Sequence, residues 1–355
     1  MSFIYPAMSS ANRVLVEISP HSLQLAVVSG RRLVARGDYP LDAKDALAEF
    51  LATHQAQNAA LVLISPKQPA ARVVGEESGP GRTDADLLAA VLTPPTGLTP
   101  PVSVVACDAV TGKTFDSAMQ GSVLLSGAMT EALETTRDQL GALGLSASAA
   151  RTGLALPSQL GAVVAALQDM SESTRVAVLA LGENDSVLAL VSAAGVEAVR
   201  SVAIGYGQIF EAVKAELGLK FRAAAAKLFF NAGYDFTDAA DKIGARLASS
   251  VQAALQGFSN RPTALQVVGL PEQQAWFGRS LAQALALTNW APDMAKICAQ
   301  LGLEVSGGGA PTANALNLVQ LAATDDLGEA AWLPRFIGER PAPVAAPAEI
   351  GRAHV

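Results

Sequence analysis

The strongest constraint on the fold of this chain is a pattern that occurs twice. It opens with "RVLVEISPHSLQLAVVSGRRLV" from Arg13 to Val34. The apolar runs Val14–Ile18 and Leu23–Val28 flank the short link Ser19-Pro20-His21-Ser22, and the break Ser29-Gly30-Arg31-Arg32 leads into a third run. Apolar runs punctuated by turn residues form a strand meander. The same order returns in "RVAVLALGENDSVLALVSAAGVEAVRSVAIG", with a polar turn at Gly182–Asp185 between its first two runs. A pattern that recurs at this scale marks an internal duplication. Two meanders, each opening a helix-containing half, predict a two-lobed α/β molecule.

The segments between the meanders fill in each half. "LDAKDALAEFLATHQAQ" has apolar residues at helical spacing from Leu41 to Leu51, and Ala59–Ser65 reads as a buried strand. Three strands, a helix and a strand form the opening of a ribonuclease-H-like lobe. From Pro66 to Thr111 the chain turns Pro- and Gly-rich around a short helix at Ala85–Leu92. This stretch reads as an inserted subdomain with strands at Val102–Cys107 and Ser122–Ser126 and a helix at Thr130–Leu143, ended by Gly144. The expected organisation is residues 1–11 as a flexible N-terminus and 12–174 as a first lobe with an insert at about 66–148. A second lobe at 175–337 and a disordered Pro/Ala tail at 338–355 complete it. In the second lobe, helices closed by Gly218 and Gly233 precede a third with Thr237 as its N-cap, then the strand "ALQVVGL" and the closing segments "ICAQLGLEV" and "TANALNLVQLAA".

Composition removes several function classes. A net charge of -7 without a basic stripe argues against nucleic acid as a partner, since phosphate backbones are gripped by clustered Lys and Arg. Three histidines leave no His-rich metal site, and the two cysteines, Cys107 and Cys298, sit far apart in apolar settings that suit buried small hydrophobes. "MSFIYPAMSSANR" lacks the basic start and apolar stretch of a signal peptide. No window approaches the ~20 apolar residues of a membrane span. A reduced, cytosolic, soluble protein is expected.

The remaining motifs read as structure. "VTGKTF" carries Gly112-Lys113-Thr114, the end of a P-loop, but Cys107 stands where its first glycine belongs. Gly205-x-Gly207 lies between a strand and a helix, yet Phe210 replaces the third glycine of a dinucleotide fingerprint. Gly307–Gly309 joins a strand to a terminal helix and reads as a loop. Asp235, Asp238 and Asp241 offset the positive end of a helix dipole. No nucleophile–base pairing and no separated carboxylate pair stands out.

Taken in order, two meanders with a polar turn after the first strand and an inserted subdomain resemble the actin-like ATPase superfamily. Within it the chain resembles the PilM family of type IV pilus assembly proteins, with the cytoplasmic part of the type II secretion L protein close behind. The stretch that carries most of the likeness is "RSVAIGYGQIFEAVKAELGLKFRAAAAKLF": strand, glycine pair, helix ending in Gly-Leu, then an Ala-rich helix with Lys227. "GSVLLSGAMTEALETTRDQLGALGLSASAARTGLALPSQL" resembles the segment that closes the family's insert, and "ALQVVGL" and "ALNLVQLAA" its last strand and helix. The likeness runs from Asn12 to Ala323.

In that superfamily both meanders carry Asp-x-Gly-(Ser/Thr), whose acids order water around a phosphate-bound magnesium and whose glycines admit the phosphates. Here the first motif reads Glu17-Ile18-Ser19-Pro20, and Pro20 removes an N–H donor. The second keeps Gly182 and Ser186 but has Ala180 in place of the acid. The adenosine motif has become "VVGLPEQQ", with Gly269 alone remaining. The resemblance and its departures imply a vestigial nucleotide cleft at Glu17, Ser19, Gly182, Ser186, Gly205, Gly207 and Gly269. They imply a pseudo-ATPase with no catalytic residue, metal or cofactor, acting as a scaffold in a pilus or secretion assembly platform. The family further implies a cytoplasmic protein, peripheral to the inner membrane through its partner. It would dock the N-terminal cytoplasmic tail of a single-pass, PilN-type membrane protein between the first lobe and the insert. An active actin-like ATPase using ATP and magnesium, a filament-forming relative and a homo-oligomer stay open.

Overall fold

The computed structural model describes residues 12–75, 81–93, 97–118, 120–306, 311–324 and 336–338. The first meander is β1 (Arg13–Ile18), β2 (Ser22–Ser29) and β3 (Arg32–Pro40), followed by α1 (Lys44–Thr53) and β4 (Leu61–Ile64). The insert contributes β5 (Ala70–Val74), α2 (Asp84–Leu92), β6 (Val102–Asp108), β7 (Val123–Met129) and α3 (Thr130–Ala142). The chain returns through β8 (Arg151–Leu154) to α4 (Ala155–Leu167). The second meander is β9 (Arg175–Ala180), β10 (Ser186–Ser192) and β11 (Gly195–Val202), followed by α5 (Tyr206–Glu216), α6 (Arg222–Phe229) and α7 (Thr237–Gln256). Then come β12 (Ala264–Val268), α8 (Ala275–Ala284), β13 (Thr288–Asn289), α9 (Met294–Gln300), β14 (Glu304–Val305), α10 (Leu316–Ala322) and β15 (Phe336–Gly338).

The duplication is visible in the sheets. One runs β14-β3-β2-β1-β4-β8 and the other β11-β10-β9-β12-β13, so each places a meander's first strand beside a parallel strand that follows helix. A third sheet, β15-β6-β7-β5, holds the insert. The central strands are buried on both faces, and so β1, β4, β9 and β12 read as mainly apolar runs rather than alternating ones, with Glu17 of β1 and Gln266 of β12 as buried polar exceptions. The architecture is the expected α/β, actin-like pair of ribonuclease-H-like lobes.

Between the two large sheets lies a shared core built from Leu15 and Leu61 on one side, Val176 and Val187 on the other, and α4 and α10 sandwiched between. The connections cross here: α4, from the first half, packs on β10 and β11, whereas α10, from the second half, packs on β1, β2 and β3. β14 likewise pairs with β3, and β15 adds an edge strand to β6. Residues from the C-terminal third therefore belong to the first and the insert sheets, an exchange that no division of the sequence into consecutive blocks expresses.

The helix ends expected from turn residues are met at Gly144 and corrected at two others. Gly144, at φ +82°, follows the last residue of α3's cap as expected. By contrast α6 ends at Phe229, before Gly233, where the Asn231 side-chain Oδ1 accepts the Gly233 N–H at 2.9 Å and turns the chain early. Thr237 is the first residue of α7 and not its cap; the Asp235 carboxylate accepts both its N–H, at 2.9 Å, and its hydroxyl, at 2.6 Å. Gly112-Lys113-Thr114 lies between β6 and β7, where Asp108 accepts the Val110 and Thr111 N–H groups. The triplet Gly307–Gly309 and the segments 1–11 and 339–355 lie outside the described residues. Cys107 and Cys298 are buried free thiols, and burial pushes that of Cys107 up to about 12.

Candidate functional site

Strand alternation builds the first wall of the interlobe cleft. Along β1, Val14, Val16 and Ile18 face the outer core under α1 and α3, which turns Leu15 and Glu17 toward the other lobe. Register then places Glu17 opposite Gln24 of β2, and Gln24 opposite Asp38 of β3. Three polar residues thus form a row across adjacent strands of one face.

Each member of the row is held from elsewhere in the chain. Glu17, 4 % exposed, accepts hydrogen bonds from Gln159 Nε2 of α4, at 2.7 Å on Oε1, and from Asn317 Nδ2 of α10 on Oε2. Burial raises its carboxyl above the usual range, and the two amides oppose that shift. Gln24 Nε2 donates to the Leu270 carbonyl at 3.2 Å. Asp38 Oδ2 accepts the Glu272 N–H at 2.6 Å, and burial pushes the Asp38 carboxyl up to about 7. Arg36 adds an ion pair to Glu272 at 3.2 Å.

The two meander turns meet across the cleft. Ser19 and Ser22 close the first turn on themselves: Ser19 N–H donates to the Ser22 carbonyl at 2.8 Å, and the two hydroxyls lie 2.7 Å apart. Pro20 then aims His21 into the second lobe. There its ring meets Tyr206 at 4.7 Å and Phe210 at 5.1 Å edge-on, and stacks on Phe230 at 5.8 Å. His21 Nε2 lies 2.8 Å from Glu183 Oε2, and because a carboxylate only accepts, Nε2 carries the proton. Burial lowers the His21 pKa and Glu183 partly offsets it, so the ring is neutral at neutral pH. Arg222 Nη2 holds the other oxygen of Glu183 at 3.2 Å.

The second turn is packed on backbone. Ser186 Oγ accepts the Gly182 N–H at 3.3 Å and donates to the Ile204 carbonyl. The first N–H groups of α5 are also taken: Tyr206 N–H by the Gly182 carbonyl at 3.0 Å and Gly207 N–H by the Glu183 carbonyl at 2.7 Å. A Cβ on Gly205 would sit 2.6 Å from the Gly182 oxygen, and one on Gly182 would sit 2.3 Å from the Asp185 oxygen and 2.7 Å from that of Lys67. Both positions need glycine for space. Gly269 O accepts the Tyr206 hydroxyl at 2.6 Å and that of Ser22 at 3.4 Å, joining the third loop to both turns.

The seven positions singled out in the sequence therefore converge on one interlobe cleft. Sequence reasoning missed the residues that close it: His21, Gln24, Asp38, Gln159, Glu183, Tyr206 and Asn317. A bulky imidazole in a turn expected to admit phosphates was the one available signal. Among the described residues no group of three or more His, Cys, Asp or Glu could hold a metal ion, and no helix is long and apolar enough to cross a membrane.

A second concavity, of about 450 Å³, opens on the other side of the first turn. Ser19, Pro20 and Ser65–Lys67 line it from the first sheet, and Met129 together with one face of α3 lines it from the insert. Leu41, Pro66, Met129 and Leu143 give it apolar walls, while Lys44, Lys67 and Glu131 place charge on them.

No protein-family model matches the chain, and no curated protein sequence matches it. Among solved structures, a chain of the PilM-PilN type IV pilus biogenesis complex matches with a TM-score of 0.61 at 17% identity, over 89% of this chain and 99% of that one. A protein with actin-like ATPase fold from Bacteroides thetaiotaomicron matches with a TM-score of 0.42 at 8% identity, over 89% and 97% of the two chains. The ethanolamine utilization protein EutJ from Carboxydothermus hydrogenoformans gives 0.41 at 10% identity, over 91% of each. At 17% identity the first match establishes a shared fold.

Proposed function

We propose that this chain is a nucleotide-independent, actin-like scaffold of a pilus or secretion assembly platform. Its groove between the first lobe and the insert would receive the N-terminal cytoplasmic tail of a PilN-type, single-pass inner-membrane protein, which would hold the scaffold at the membrane. The observation that carries the first half is the filled cleft: His21 reaches from the first turn to Glu183 of the second at 2.8 Å, through the space between the two loops. The residues present do not fit a magnesium-bound phosphate. Both oxygens of Glu17 are committed to amides, Ala180 offers no ligand, and the first N–H groups of α5 already serve carbonyls. A phosphate entering here would have to displace bonds the chain makes to itself, several of them buried and each costly to leave unmade.

The second half rests on the shape and chemistry of the open groove, with apolar walls and polar margins suited to an extended peptide anchored by a few side chains. A solved chain of the same fold comes from a PilM-PilN complex, which supports a PilN-type partner. Isothermal titration tests the first half, with no Mg-ATP binding in the micromolar range expected and no phosphate release above buffer. Micromolar binding would overturn it. A pull-down with the N-terminal peptide of a single-pass membrane protein encoded beside this chain tests the second; retention of the peptide is expected, and failure with folded protein would overturn it.

A further inference from the structure

The filled cleft and the open groove share a wall. Ser19 and Pro20 line the groove, and the next residue, His21, is the one that reaches Glu183 in the far lobe. The other floor segment, Ser65–Lys67, is tied at one end to β1, where Ser65 N–H donates to the Ile18 carbonyl at 2.8 Å. At its other end the Lys67 carbonyl accepts the N–H of Glu183 at 2.7 Å. One residue of the second lobe thus grips both floor segments of a groove that it does not line: its side chain holds the first turn, its backbone the second.

Glu183 is itself fixed. Arg222 of α6 holds its second carboxylate oxygen at 3.2 Å, and its own carbonyl accepts the Gly207 N–H of α5 at 2.7 Å. Gly182 beside it packs so closely that a Cβ would meet Pro69 Cδ at 2.5 Å. On the far side, the aromatic rings of Tyr206, Phe210 and Phe230 leave the His21 ring a single seat. The groove floor is consequently pinned to the second lobe, whereas its opposite wall, α3, makes none of these contacts.

Resting on the reading that the groove takes an extended peptide, we infer that Glu183 is a positioning residue. Acting through His21 and Lys67, it holds the groove floor in its binding shape from the opposite lobe. A preformed floor spares a peptide the ordering of Ser19–Ser22 and Ser65–Lys67 on binding. The contact between the lobes that fills the phosphate space would then serve peptide recognition.

The test uses the full chain and the synthetic N-terminal peptide of the adjacent single-pass membrane protein, with hydrogen exchange as a readout independent of that peptide. Glu183→Ala and His21→Ala are expected to weaken the peptide about 5- to 20-fold and to speed exchange at the Ser19 and Ser22 amides, while Ser65, on the segment held through the Glu183 backbone, stays protected. Glu183→Gln, which keeps an acceptor for His21, should restore most of both. Ala132→Trp, which fills the groove from α3, should abolish binding without altering exchange at those amides. Wild-type affinity and unchanged exchange in Glu183→Ala, with Ala132→Trp inactive, would overturn the positioning role and leave the groove assignment standing. If the wild type binds no peptide the groove assignment falls, and exchange decides alone: faster floor exchange in Glu183→Ala supports the pinning and unchanged exchange refutes it. Should Glu183→Ala fail to fold, His21→Ala carries the same comparison.

Discussion

The two meander turns hold matching places in the two lobes and carry different residues. The first has an acid, Glu17, followed by Ser19; the second has Ala180 and Gly182 at the corresponding places. Glu17 and Gly182 each have a structural task. Glu17 receives amides from α4 and α10 and so ties a strand to both exchanged helices. Gly182 lets the Lys67 carbonyl and the Pro69 ring approach within a distance no side chain would allow. The first turn needs no glycine because Ser19 and Ser22 close it by their own hydroxyls. The second carries no acid at the matching place because Ala180 faces the apolar shared core, where an unpaired carboxylate would be costly.

The largest test of that contrast is Gly182→Ala. Its methyl would overlap two backbone oxygens, so a loss of about 3 kcal/mol is expected in denaturant unfolding; a near-neutral result would show that the close approach relaxes cheaply. Glu17→Ala comes next. Two amides lose their acceptor while a buried charge is relieved, and a net loss of about 2 kcal/mol is expected, read from the same unfolding curves.

Asp38 at the third interlobe contact sharpens the comparison through pH. Its carboxyl titrates near 7 when folded against an ordinary value of 3.8. The folded state therefore holds the proton more tightly, and the stability this gives is complete below 3.8 and lost as pH rises toward 7. Asp38→Asn removes that loss: it should stabilise by about 1–2 kcal/mol at pH 8 and make no difference at pH 3.5. A gain independent of pH would point to packing instead of charge. The smallest effect is expected from Ser19→Gly in the first turn. Losing the hydroxyl contacts should cost about 0.5–1 kcal/mol, and it should not create nucleotide binding, because His21 still occupies the cleft.

Much of the fold was legible because it is written in short-range patterns. The meanders, the helix at Asp84–Leu92 and the end of α3 at Gly144 follow from runs and turn residues within a few positions. The misreadings were also local, where a polar side chain outbid a glycine: Asn231 ended α6 early, and Asp235 took the capping bonds credited to Thr237. The strands β5 and β8 went unread because each needs a partner strand to be recognisable, and those partners lie elsewhere in the sequence.

By itself, then, the sequence determined the duplicated two-lobed α/β plan and the identities of the turn residues, since residue identity at a fixed spacing is a one-dimensional fact. Tertiary structure alone decided what those residues bind. Glu17 finds its amides 142 and 300 residues away, and His21 its carboxylate 162 residues away. No local spacing encodes such pairings; they exist because the exchange of α4 and α10 between the sheets brings the two turns face to face.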